Sequence, residues 1–216
     1  MDINIDFRPM DTRHALSVLR GYIDVVEPQM EEVLRCERIV LDATAPPAGA
    51  DEVDIQLFRN EQRALEDFFE RDLIPTMRYS VVVFIHIVFE TRLRSFCAAM
   101  QRERNIPIDL SDIRGSAIEQ ARTYLSKLVG VAVGEYPEWS QLRSLQYVRD
   151  CVVHSYGYVD SEDDRSKHLR QLATQNIGLS ISEDDRLLLS KSFCDQHVAH
   201  LSQLFNRLFA FAGWRP

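Results

Sequence analysis

The chain is poor in residues that break helices, with 8 glycines and 8 prolines in 216 positions, so few tight turns or bends are specified. Its four cysteines, Cys36, Cys97, Cys151 and Cys194, are far apart and form no Cys-x-x-Cys pair. That spacing argues against a zinc ribbon and against a disulfide framework, and predicts buried, reduced thiols. The opening run MDINIDFRPMDTRHALSVL lacks the apolar stretch of a signal peptide. The longest apolar block, Val81–Phe89, is interrupted by His86 and falls well short of the ~18–20 residues that span a bilayer. The expectation is a soluble, cytoplasmic protein with no membrane partner. A basic excess is also missing. The formal net charge of −8 opposes a broad nonspecific nucleic-acid surface, so RNA contact would need a local positive patch; it also suits a protein that docks a basic partner. No glycine-rich phosphate loop, nucleophile elbow, zinc-finger spacing or internal repeat is present.

What is present favours helices. Apolar residues make up 45% of the chain and charged residues 27%, enough for one helical core with a solvated surface. The length fits a single domain over residues 1–216. Residues 1–10 read as an extended start, and residues 12–43 as a helix or two with a break or kink at Pro28. The segment ATAPPAGAD, 43–51, reads as a flexible linker, so that 1–42 form a helical N-terminal arm and 52–216 the core bundle. Residues 52–73 form a second helix carrying Ile55, Phe58, Leu65, Phe68 and Phe69. From Met77 to Arg104 the β-branched run at 81–89 permits a strand, but Leu93, Phe96, Cys97 and Met100 continue at helical spacing and decide for one long helix. His86 and Glu90 interrupt its apolar side and require partners.

Beyond the loop 105–115, Ser116 and Glu119 make a capping box for a helix ending near Gly130. Ser161-Glu-Asp-Asp164 starts a polar helix to about 175, whose Arg165, Lys167, His168 and Arg170 are either a solvated face or part of an RNA groove. Alternating leucines and isoleucine over 178–190 read as a small β-hairpin, and Ser192 caps the last helix. Cys194, His197 and His200 are three apart but lack a fourth ligand, so no metal site is expected, and no cofactor. The fold class is mainly all-α.

The most informative stretch is 136–160, YPEWSQLRSLQYVRDCVVHSYGYVD. Pro137 suits a first helical turn and Gly157 a helix end. On a wheel of about 100° per residue, Leu142, Leu145, Val152 and Val153 share one side, with Trp139 on its flank and Arg149 in its middle. A guanidinium there either pairs with a carboxylate inside the fold or borders a cleft or subunit interface. His154 lies about 140° round from Arg149, whereas Asp150 shares a face with His154 and would orient its imidazole. Glu90 is the candidate partner for Arg149 or His154; alternatively His86 and Glu90 satisfy each other at i,i+4.

Arg149-Asp-Cys-Val-Val-His154, preceded by the Trp139/Leu142/Leu145 stripe and followed by Tyr156-Gly157, resembles the HEPN superfamily signature of an arginine, four to six residues and a histidine. Asparagine is commonest after that arginine; this chain has Asp150. The resemblance implies an antiparallel helical bundle and often a glutamate in the preceding long helix, matched here by Glu90. It also implies metal-independent RNA cleavage by 2′-hydroxyl attack, leaving a 2′,3′-cyclic phosphate. Histidine suits the proton transfers and Arg149 the nonbridging phosphate oxygens. A homodimer with an isologous interface along the motif helix would bring two copies of each into one cleft. Relatives of this kind act as toxins or antiviral effectors, which implies RNA as substrate and a cognate antitoxin or regulatory protein as a further partner. The alternative is a noncatalytic HEPN-like module for dimerisation or for binding a nucleotide or protein.

Overall fold

The computed structural model describes residues 7–160, 163–175 and 178–214. Among them the expected all-α architecture is present: helices α1 (Phe7–Asp42), α2 (Glu52–Asp67), α3 (Ile74–Arg104), α4 (Ala117–Tyr124), α5 (Pro137–Ser155), α6 (Asp164–Gln175) and α7 (Lys191–Ala212). A two-stranded antiparallel hairpin, β1 (Leu179–Ile181) and β2 (Leu187–Leu189), precedes the last helix.

The long apolar helix α3 is the spine. Val82, Ile85, Phe89 and Leu93 are fully buried, and α3 packs against α1, α4, α5 and α7. A helix nearly apolar on all sides belongs where neighbours surround it. One 18-residue window within the helical run Glu52–Arg104 is apolar enough to cross a bilayer by composition, with mean hydropathy 1.4. In the bundle 44% of that window is buried.

Several local expectations need correction. Pro28 neither ends nor splits α1, because its ring faces solvent while Ile23, Val26 and Met30 hold the opposite side against the bundle. The first half of α1 is therefore core rather than arm, with Leu16, Leu19 and Ile23 buried. It is the second half of α1, together with α2, that stands off the bundle, and α2 has no buried residue. The helix starts at Phe7 within the stretch read as extended; residues 1–6 lie outside the described chain. Ser190, not Ser192, caps α7 by accepting from the Phe193 amide. Of the helix start read at Ser161-Glu-Asp-Asp164, positions 161 and 162 lie outside the described residues; Asp163 accepts from the Ser166 amide at 3.3 Å. Cys36 is exposed and Cys151 half-buried, so only Cys97 and Cys194 are buried thiols as expected.

The motif helix α5 is closed by tight backbone chemistry. Tyr156 is left-handed at φ 52° and Gly157 follows at φ 84°. A Cβ at Gly157 would overlap the Tyr79 hydroxyl, so only glycine fits. The chain then runs along the hairpin: Leu187 donates to the Gly157 carbonyl at 2.8 Å and Val159 to that of Asp185 at 2.8 Å. This fixes the end of α5 to β2.

Candidate functional site

The α3–α5 seam brings the predicted residues into one region, with different pairings from those expected. The buried face of α5 is Trp139, Leu142, Leu145 and Val148, while Val153 is exposed. The stripe is thus turned slightly away from the wheel reading, and Arg149 lies at its edge with its side chain 25% exposed. Its Nη2 sits 3.3 and 3.4 Å from the two ring nitrogens of His86, and its Nη1 is 2.7 Å from Asp150 Oδ1.

His86 is 3% exposed. Burial pushes its pKa down to about 4, the Arg149 charge adds to the shift and Asp150 opposes it. The ring is therefore neutral near pH 7, with the guanidinium Nη2 held almost equidistant from its two nitrogens. The buried partner of Arg149 is thus an imidazole, and the expected Glu90 carboxylate does not fill that role. Glu90 Oε2 is 4.0 Å from His86 Nδ1, too long for a hydrogen bond, and Oε1 is 3.7 Å from Arg94 on the exposed side. A like departure affects His154. Asp150, expected to orient it, is engaged by Arg149, and His154 is exposed on the last turn of α5.

Beside Asp150 an open cleft of about 470 Å³ is lined by Glu119, Arg143, Tyr147, Asp150, Arg165 and His168. Tyr147 and His168 pack with ring centroids 4.3 Å apart and planes tilted by 49°. The basic cluster of α6 is split: Arg165 and His168 reach this cleft, while Lys167 pairs with Asp164 at 3.0 Å and Arg170 with Asp185 at 2.8 Å. Among the described residues no cluster of histidine, cysteine and carboxylates could hold a metal ion. His197 instead hydrogen-bonds the Phe193 carbonyl at 2.8 Å.

Two polar anchors escaped the sequence reading. Arg186 of the hairpin turn is buried, donates to the Arg71 carbonyl at 2.6 Å, and lies 5.0 Å from the Tyr156 ring centroid and 5.7 Å from that of Tyr79. It ties the end of α5 to the π-helical segment Phe68–Leu73, which joins α2 to α3. Arg78 forks Glu27 at 2.8 and 2.9 Å and donates to the Leu189 carbonyl at 2.8 Å. The available signal was a charge inside or beside an apolar run, such as Arg186 next to the leucines of β2. In comparisons with known proteins, no family model, curated protein or solved structure matches this chain.

Proposed function

We propose that the chain is a HEPN-type, metal-independent endoribonuclease acting in the cytoplasm as a homodimer. The observation that carries this reading is Arg149: a guanidinium one-quarter exposed at the rim and held from below by a neutral imidazole, so that its buried partner leaves its charge intact. His154 stands exposed one turn further along the same helix, free to exchange protons with a bound substrate. Arg149 would hold nonbridging phosphate oxygens and His154 would move the proton of the attacking 2′-hydroxyl or the leaving oxygen. One copy supplies one of each. Val153, beside His154 on α5, is about half exposed, an apolar side chain that an isologous interface along this helix would bury.

A specific observation favours the second reading, a noncatalytic HEPN-like binding or dimerisation module. The Arg149–Asp150 contact at 2.7 Å places a carboxylate where a phosphate would have to compete. One experiment separates the two. Structured RNA is incubated with the protein in excess chelator, beside Arg149→Ala and His154→Ala variants whose folding is checked by circular dichroism. Chelator-resistant cleavage leaving 2′,3′-cyclic ends, lost in both variants, supports the nuclease. Cleavage that needs a divalent metal, or that survives both changes, overturns it. Sedimentation tests the dimer, and a strict monomer leaves the composite site without a basis.

A further inference from the structure

The second half of α1 and all of α2 form a two-helix arm joined by the turn at 43–51. Residues 31–67 contain ten acids and four arginines, a net −6 of the chain's −8. The half-buried residues Leu34 and Leu41 of α1 and Ile55, Phe58 and Leu65 of α2 mark the inner side of each helix, with Leu41 facing the second half of α2. Two helices alone cannot enclose an apolar seam, so each has one flank facing away from its neighbour on either side.

The two flanks differ. In antiparallel helices, the residues just before each seam position come to the same side of the pair, and the residues just after come to the other. The second side is polar and self-satisfied: Arg38 pairs with Glu66 at 3.1 Å, Gln62 donates to Asp42 at 3.2 Å, and Arg59 and Arg63 line the same shallow cleft. Arg35 falls on this side too, paired with Glu32. All four arginines of the arm are thus accounted for. The first side carries Val33, Val40, Leu57 and Phe68, which are 40%, 64%, 58% and 52% exposed. Interleaved with them by the same geometry are Glu37, Asp54 and Glu61, all exposed, and none has an ion-pair partner among the described residues.

An apolar stripe of this kind is a docking face, and its charge selects what docks. A second copy of the same face would bring six carboxylates together, with Arg71, already paired with Asp67 at 3.4 Å, the cation beyond Phe68 at its end, so self-association here is disfavoured. From this we infer that the free face of the α1–α2 arm binds a basic amphipathic helix of a partner protein. Apolar residues of that helix lie along the stripe that runs past Val33, Phe68, Val40 and Leu57, and its lysines or arginines meet Glu37, Asp54 and Glu61. The face is separate from the Arg149–His154 region and does not depend on the nuclease reading.

The probe is a labelled helical peptide with leucine along one face and lysine on the others, followed by fluorescence anisotropy against the full chain. An otherwise identical peptide with glutamate for lysine is the comparison. Saturable binding of the lysine peptide alone is expected, weakened about tenfold by Leu57→Ser with Val40→Ser, a loss of the size expected when apolar anchors are removed. Both positions are exposed, and melting curves confirm that the variants fold. Glu37→Gln with Glu61→Gln flattens the salt dependence, and Arg59→Gln with Arg63→Gln leaves affinity unchanged. No saturable binding, equal binding of the glutamate peptide, or indifference to the Leu57 and Val40 changes overturns the inference. So does sedimentation showing that Leu57→Ser with Phe68→Ser dissolves a dimer, because a second copy would then cover the face.

Discussion

Acid should unfold this protein through its buried histidines before its carboxylates protonate. His86 and His197 are each 3% exposed, and burial pushes each down to about 4. The unfolded chain binds a proton on either ring near pH 6.5, whereas the folded chain does not until about pH 4. In that window the unfolded state holds more protons, so stability rises with pH. The contribution is fully present above about pH 6.5 and gone below about pH 4. At about 1.4 kcal/mol per pH unit, each ring is worth about 3 kcal/mol across the window. Two such losses are comparable with the ~5–15 kcal/mol that usually holds a domain together. Urea titrations followed by far-UV circular dichroism at about pH 7, 6 and 5 read the slope directly. His86→Gln keeps an acceptor for Arg149 and should remove about half of it, whatever its cost at neutral pH. In a nuclear magnetic resonance titration the Arg149→Met variant should raise the His86 pKa, because the cation beside the ring is one of the two causes of its depression. A flat stability profile between about pH 6.5 and 4.5, or an unchanged slope in His86→Gln, refutes the buried neutral ring.

Three further outcomes follow from the geometry. Glu27→Gln leaves Arg78 half-buried without its forked partner and should cost about 3 kcal/mol in a denaturation titration. Gly157→Ala forces a side chain into the left-handed region against the Tyr79 hydroxyl and should lower stability by about 2 kcal/mol or more, read as a drop in melting temperature. Asp150→Asn removes the carboxylate that engages Arg149; on the nuclease reading it should tighten binding of a structured RNA about fivefold at low salt, measured by anisotropy.

The elements were legible because their signals are local. A capping box at Ser116, a helix stop at Gly130 and alternating leucines at 187–189 each depend on residues a few positions apart, and each appears where expected. Partner choice was not legible, because it depends on how α3 and α5 are rotated against each other. A wheel places His86 and Glu90 on nearly the same face of α3. A rotation of a few tens of degrees decides which of them meets Arg149, and ideal helix angles do not resolve it. The same limit hid the Arg78–Glu27 pair, 51 residues apart, and the placement of Arg186 over three tyrosines. Continuity of α1 through Pro28 was missed for a related reason: a local helix breaker was outweighed by tertiary packing on the opposite face.

The identity of Arg149's buried partner shapes what the site can do. Along the α3–α5 seam the contacts run antiparallel, with Tyr79 against Tyr156, His86 against Arg149, and Phe89 against Trp139. Aromatic pairs on both sides of the polar contact fix its register, since a slip would drive a guanidinium into an aromatic layer. Within that register a carboxylate at position 86 would cancel the arginine and leave nothing for an incoming anion. A neutral imidazole packs against the guanidinium and orients it, but brings no charge. Compensation then falls to Asp150, which lies on the same helix at the rim and is itself part-exposed. The core partner holds the cation's position and the rim partner holds its charge, and only the rim partner need be displaced for a phosphate to bind.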